Sequence, residues 1–268
     1  MSLPFWKLSA TGNDFVVIDH REPRLQERLL PEFVSRVCAR HTGVGADGLL
    51  LLESDEQADF RMRYWNADGS QATMCGNGAR ALAWLARELR LWDQAGTFMA
   101  DDGLHRALDR EGTLGVSLNV KAEGRQIQLN GTHSGWQINT GVPHLVIFTE
   151  QVADEPVVEL GRKYRFDPRF QPEGTNVNFV EADEHSLRVR TYERGVENET
   201  LACGTGVLAA AAIACDTLQL PFPLTVEVAG GTLRVSRQEH EWILWGPVDR
   251  IYTGDLLLNG EIHRYLFS

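Results

Sequence analysis

No run of apolar residues in this chain approaches the ~20 needed to cross a bilayer as a helix, which argues against a helical membrane protein. Positive charge is scarce: 26 Lys and Arg stand against 37 Asp and Glu, a formal net charge of −11. A surface of that sign repels nucleic acid and anionic lipid, so neither is expected as a partner, although a small anionic substrate could still meet a locally positive site. Cysteine is sparse too. Cys38, Cys75, Cys203 and Cys215 lie far apart with no CxxC spacing, which removes the usual zinc and thioredoxin-like patterns, and no metal is expected. The opening residues MSLPFWKLSATGNDF lack the charged-then-apolar layout of a secretory leader. A cytoplasmic protein with reduced thiols is the simple expectation.

What is present is enough apolar material to build a large core: 268 residues, 43% of them hydrophobic, suit one large or two medium domains. The chain also repeats itself. Thr11-Gly12 opens TGNDFVVID and Thr140-Gly141 opens TGVPHLVIF, an offset of 129. Gly45 in GADGLLLLE matches Gly174 in GTNVNFVEA, and Leu104 in GLHRALD matches Leu233 in GTLRVSR, both again at 129. FRMRYW leads to MCGNGAR and LRVRTYE leads to ACGTGVL, with Cys75 and Cys203 separated by 128. Each match is weak alone, but their common order and spacing indicate an internal duplication.

Strand-like stretches (VVID, LLLLE, FRMRYW, GVSLNV, LVIF, NFVEA, LRVRTY, LTVEV, WILWG) outnumber helices. The two strongest helices, GARALAWLARELRLW and GVLAAAAIACDTLQL, each follow a Cys-Gly-x-Gly and are apolar on most sides. That pattern suits a helix enclosed by sheet rather than one lying on a surface. The expected fold class is α+β: two pseudo-twofold-related domains, each a curved, barrel-like mixed or antiparallel sheet around one central helix. The halves are expected at 1–131 and 132–255, joined near Gly131-Thr132, with 256–268 returning to the first half. Cys38 and Cys215 sit among apolar helical residues and read as small buried hydrophobes.

Cys75 and Cys203 differ, because each stands immediately before a helix. A helix N-terminus offers unpaired N–H groups and partial positive charge. Both lower a cysteine pKa from about 8.5 and cradle a carboxylate, which glycine lets approach closely. One such segment reads as a tight turn over a buried thiol. Two at equivalent points of a duplication read as a pair of catalytic groups. Facing one carbon from opposite sides, a thiolate and a thiol would remove a proton from one face and deliver one to the other. The helix-end N–H groups would hold the enolate-like charge. The reading is thus inversion of an amino-acid stereocentre without a cofactor, and no lysine lies in a recognisable pyridoxal-phosphate motif.

These segments resemble the diaminopimelate epimerase family over nearly the whole chain: GNDFVVID (12–19), GVGADG (43–48), NADGS (66–70), MCGNGAR (74–80), PH (143–144), NVNF (176–179), YERG (192–195) and ACGTG (202–206). Proline racemases are similar but carry histidine where this chain has Asn77, and the phenazine-biosynthesis relatives lack the cysteine pair. The resemblance implies that Cys75 and Cys203 are acid and base in converting LL-diaminopimelate to its meso form, with no cofactor. It implies that Gly76, Asn77, Gly204 and Thr205 hold the reacting carboxylate and that Asn13 contacts the reacting amino group. Asn66, Asn176 and Arg194 would read the distal head, and Glu193 would accept from an ammonium. A zwitterionic head needs one acceptor and one carboxylate-binding donor, which Glu193-Arg194 could supply, although a solvated charge pair at a strand end would look the same. Asn13 would equally serve as a turn residue, and His144 reads as structural.

Two positions depart from the family pattern: Val142 where asparagine is common and Gly48 where glutamine is common. Both thin the polar shell around the substrate and leave the proton transfer untouched. The alternatives are therefore a racemase for another amino acid, such as histidine, or an amino-acid-binding relative without catalysis. The expected partner is a small-molecule amino acid. A homodimer is one assembly the chain could adopt.

Overall fold

The computed structural model describes residues 2–27, 30–120, 123–129, 134–238 and 241–257. The expected join at Gly131-Thr132 and residues 258–268 lie outside them. The chain forms two compact units. The first takes the described residues up to Val116 and from Pro247 onward, and the second spans Ser117–Gly246.

The first unit runs β1 (Ser2–Ala10), β2 (Asn13–Asp19), α1 (Leu30–Cys38), β3 (Gly48–Glu53), β4 (Phe60–Asn66), β5 (Gln71–Ala72), α2 (Gly76–Glu88), β6 (Ala95–Ala100), β7 (Gly103–Arg110) and β8 (Thr113–Leu118). The second runs β9 (Arg125–Gln128), β10 (Ser134–Asn139), β11 (Pro143–Phe148), α3 (Val157–Arg165), β12 (Asn176–Ala182), β13 (Ser186–Glu193), β14 (Asn198–Thr200), α4 (Gly204–Leu218), β15 (Leu224–Val228), β16 (Gly231–Gln238) and β17 (Glu241–Gly246). β18 (Asp249–Leu257) belongs to the first unit, where it pairs antiparallel with β1.

The pairing pattern repeats as closely as the sequence. β2 and β3 are parallel neighbours across α1, as are β11 and β12 across α3. Parallel strands need such a crossover. β4 pairs antiparallel with β5 and parallel with β6, and β13 does the same with β14 and β15. Gly45 and Gly174 both adopt left-handed backbone, φ +78° and +68°, in the turns entering β3 and β12. Each unit is thus a mixed sheet with a central helix, the α+β duplication expected from sequence. The exchange of edge strands was not foreseen in full: β9 follows the first repeat yet pairs with β10 of the second unit, while β18 follows the second repeat and closes on β1.

Both central helices are enclosed because their residues are small or apolar on nearly every side. In α2, Gly76, Asn77, Gly78, Ala79, Arg80, Ala81, Leu82, Ala83, Leu85 and Ala86 are all buried. Leu82 and Leu85 sit in one core with Leu8, Phe15, Leu50, Met62 and Phe98, each such burial being worth about 1.5–3 kcal/mol. In α4 every residue from Gly206 to Ala214 is buried, and the helix touches β10, β11, β12, β13, β15, β16 and β17. Alanine suits this position: it favours helix and lets strands approach from all sides. α1 lies on the other face of the first sheet, where Phe33, Val34, Val37 and Cys38 meet Val16, Ile18, Leu49 and Leu51. Cys38 is buried there, with its thiol pushed up to about 12, whereas Cys215 is only half-buried and its thiol bonds the Leu220 carbonyl at 3.0 Å.

The start of α4 is tightly held. A Cβ placed on Gly206 would stand 2.3 Å from Oδ1 of Asn178 on β12. Gly206→Ala should therefore lower unfolding free energy by about 1–3 kcal/mol through overpacking, read as a reduced midpoint in urea with an unchanged slope.

Candidate active site

In the first unit Cys75 is the N-cap of α2, in extended backbone (φ −144°, ψ 114°), and its sulfur accepts from the Gly78 N–H at 3.4 Å. Asn77, 1% exposed, donates through Nδ2 to Asn13 Oδ1 at 3.4 Å. Asn13 in turn donates to Asp47 Oδ2 at 2.6 Å. Asp47 and Asp14 are both held by Arg40, and Asp14 is also paired with Lys7, at 2.5 Å. Burial works against the charged form of Asp14, but Arg40 and Lys7 outweigh it and hold its carboxyl near 2. The structure therefore gathers Cys75, Gly76, Asn77 and Asn13, and the Asp of GVGADG anchors the last of these.

Asn66 stands apart from that group, at the end of β4. It accepts from the Tyr64 hydroxyl at 2.9 Å and donates to Ser70 Oγ at 3.1 Å. Tyr64 also explains Gly48. A Cβ at position 48 would lie 2.5 Å from Tyr64 Cε2, so the tyrosine ring occupies the place a longer side chain would need. Tyr64 escaped the sequence reading, which saw Gly48 only as a lost polar group.

In the second unit Cys203 caps α4 in extended backbone (φ −116°, ψ 105°), and its sulfur lies 3.5 Å from Thr205 Oγ1. Thr205 is fixed twice: its carbonyl accepts from Thr140 Oγ1 at 2.9 Å, and its hydroxyl oxygen lies 3.0 Å from Nε2 of His144. Nδ1 of His144 faces Nδ2 of Asn178 at 3.1 Å. The Asn178 amide is oriented independently, because its oxygen accepts from Thr191 Oγ1 and its nitrogen donates to the Leu145 carbonyl. His144 must therefore accept at Nδ1 and carry its proton on Nε2, donating to Thr205. Burial, with the Arg194 charge nearby, holds this imidazole neutral by pushing its pKa down to about 3. His144 is structural in being buried and satisfied, but what it supports is the residue beside Cys203.

Arg194, Glu193 and Asn176 meet where β13 ends. Asn176 accepts the Arg194 backbone N–H at 2.8 Å and donates to the Pro143 carbonyl at 3.0 Å. Glu193 Oε2 accepts from Thr200 Oγ1 at 2.8 Å. The Arg194 guanidinium donates to the Glu173 carbonyl at 3.0 Å and forms no ion pair among the described residues. Val142 contributes only its carbonyl, which accepts from the Thr140 N–H.

Comparison with known proteins settles the lineage. The family model for diaminopimelate epimerase matches residues 5–103 and 136–251. A diaminopimelate epimerase from Aquifex aeolicus is 41% identical over 95% of this chain and 98% of its own length. One from Archaeoglobus fulgidus is 38% identical over 97% and 98%. The chain belongs to the diaminopimelate epimerase family. The fold of this family member extends to a phenazine biosynthesis protein from Enterococcus faecalis, with TM-score 0.75 at 15% identity over 96% of this chain and 100% of that one. Among the described residues no group of three or more His, Cys, Asp or Glu could hold a metal ion, and no helix is long and apolar enough to cross a membrane.

The neutral state of His144 has a measurable consequence. Its folded pKa lies below the ordinary ~6.5, so the unfolded chain binds the extra proton first and stability falls as pH drops through that value. Between pH 7.5 and 5.5 the wild type should lose about 1.4 kcal/mol more unfolding free energy than His144→Gln. Urea titrations at the two pH values check this.

Proposed function

We propose that this chain is an isomerase that converts LL-diaminopimelate to meso-diaminopimelate by two-base proton transfer, with Cys75 and Cys203 as the exchanging acid and base. The observation that carries the reading is the duplication of one chemical device. Each repeat ends a strand, turns at a cysteine in extended backbone and starts a buried helix with Gly-x-Gly. Binding alone would need neither thiol. Inversion needs two, one for each face of the α-carbon.

The roles are those that the family resemblance implies, and the local geometry supports them. Backbone N–H groups at Gly76, Asn77, Gly204 and Thr205 receive the reacting carboxylate and the charge that grows on it as the α-proton leaves. Asn13, held by Asp47 and Asn77, presents its amide to the reacting amino group. Arg194, with no carboxylate partner among the described residues, grips the distal carboxylate, while Glu193 takes the distal ammonium. Asn176 positions Arg194 through its backbone, and Asn66 is set by Tyr64. The substrate of the named relatives and the bipolar Glu193-Arg194 pair favour diaminopimelate over a one-headed amino acid such as histidine. The reaction as drawn calls on no cofactor.

Incubation of single-enantiomer LL-diaminopimelate in heavy water should give the meso form with deuterium at the inverted carbon. Cys75→Ala and Cys203→Ala should each lower turnover by roughly 10²–10⁴-fold or more, the usual contribution of a general acid or base. Substantial racemisation by either variant would end the two-base scheme. Turnover of one-headed amino acids with none of diaminopimelate would end the substrate assignment.

Arg194→Lys should lower kcat/KM for diaminopimelate by roughly ten- to a hundredfold, because lysine cannot reproduce the two-pronged contact. A carboxylate contact at the reacting centre would instead make the loss equal for short amino acids.

A further inference from the structure

Arg165 is the last residue of α3, and its side chain reaches two segments that hold Arg194. Its Nε donates to Glu197 Oε1 at 3.1 Å, with the two side chains 14% and 35% exposed. The same Glu197 oxygen accepts from the Gly195 N–H at 3.1 Å, and Oε2 accepts from the Tyr192 hydroxyl at 3.2 Å. Glu197 thus turns its carboxylate back onto the β13–β14 turn on which Arg194 stands. That turn enters left-handed backbone twice, at Gly195 (φ +93°) and at Glu197 itself (φ +57°). Glycine adopts such angles freely, whereas glutamate does so where its surroundings hold it. A pair this exposed adds little to stability, so its value lies in the geometry it imposes.

The other contact of Arg165 is with the loop that receives the Arg194 side chain. There the Glu173 carbonyl accepts from the Arg194 guanidinium at 3.0 Å. The next residue, Gly174 (φ +68°), makes room for Arg165: a Cβ on it would fall 1.7 Å from an Arg165 guanidinium nitrogen and 3.0 Å from the Arg165 carbonyl oxygen. One arginine is therefore bonded to the turn that carries Arg194 and packed on the loop that anchors its guanidinium. Asn176 supplies a further hold, through the Arg194 backbone N–H.

The first repeat solves the same problem with a different arginine. Arg40 follows α1 and lies against Gly45, where a Cβ would stand 2.9 Å from the Arg40 Cα. Its guanidinium pairs with Asp47 at 2.6 Å, and Asp47 accepts from Asn13 at 2.6 Å. In both repeats an arginine beyond the crossover helix covers the left-handed glycine and holds a carboxylate. That carboxylate fixes the surroundings of Asn13 in one unit and of Arg194 in the other.

We propose that Arg165 is the positioning residue for Arg194. By joining the Glu197 turn to the Glu173-Gly174 loop it sets where the Arg194 guanidinium stands, and so governs acceptance of the substrate's distal carboxylate rather than proton transfer. The inference rests on the reading of Arg194 as the grip on that carboxylate, but one arm of its test requires no turnover.

The experiment compares the full-length wild type with Arg165→Met and Glu197→Gln, each alone and combined with Arg194→Ala. Arg165→Met should lower kcat/KM for diaminopimelate roughly tenfold or more, chiefly through KM, and Glu197→Gln should act in the same direction. In the Arg194→Ala background neither should cause a further loss, because a residue acting through another then has nothing to act on. Iodoacetamide should alkylate Cys75 and Cys203 at wild-type rates throughout. Hydrogen exchange read by peptide mass spectrometry should quicken across the Arg194–Glu197 turn in both single variants and stay unchanged in β15 and β16. Losses that add to that of Arg194→Ala, or that fall on kcat with altered thiol reactivity, would make Arg165 a support of the fold at large and overturn the proposal. Wild-type kinetics or unchanged exchange at the turn would overturn it too. Glu197→Gln, at a partly exposed position, decides the matter if Arg165→Met does not fold. In a protein that leaves diaminopimelate untouched, quickened exchange at the turn would uphold the positioning of Arg194 while ending the functional reading, and unchanged exchange would end both.

Discussion

Everything in this molecule depends on bringing the first turn of a helix into the middle of a sheet. Four N–H groups at a helix start lack partners within the helix, and burying them demands that something else satisfy them. Here the cysteine sulfur takes one at Gly78, and glycine keeps the turn narrow enough for strands to close around it. The alanine-rich body of α4 and the enclosed core of α2 follow from the same demand, since a helix surrounded by strands has no face left for polar residues.

That demand also explains why so many polar side chains are buried near the helix starts. Asn77, Asn176, Asn178, His144, Thr140 and Thr191 are all nearly inaccessible. They form short chains of bonds in which each member fixes the next, and low local polarity strengthens such chains when every group is satisfied. Arg80 is the exception: it is as fully buried as Asn178 and His144, yet one of its nitrogens is unsatisfied. A fold selected for stability alone would have leucine there, as the second repeat does.

The duplication, the central helices and both cysteine turns were legible because they rest on local chemistry: a periodic apolar pattern, a small residue where φ turns positive, a thiol at a helix boundary. Tyr64 was not legible. It meets Gly48 diagonally across the β3–β4 register, so its role depends on which strands pair. Burial of Arg80 was hidden for a similar reason, since a helix pattern records an arginine without recording what surrounds it. The two exchanged edge strands are also tertiary facts. RQIQ carries no alternation that would mark β9 as a strand, and nothing in DRIYTGDLL names β1 as its partner. The Glu193-Arg194 pair was found from its chemistry, whereas its support by Asn176 and Thr200 came only from the hairpin that returns it.

The pairing of β18 with β1 has a consequence for how the protein is made. On the ribosome β1 emerges more than two hundred residues before its neighbour β18. Through nearly all of synthesis β1 has only β2 beside it, and its other edge is open to mispairing. The second unit meets no such delay, because β9 is already in place when β10 appears. Translation therefore completes the second unit before the first, and β1 stays open until β18 follows it.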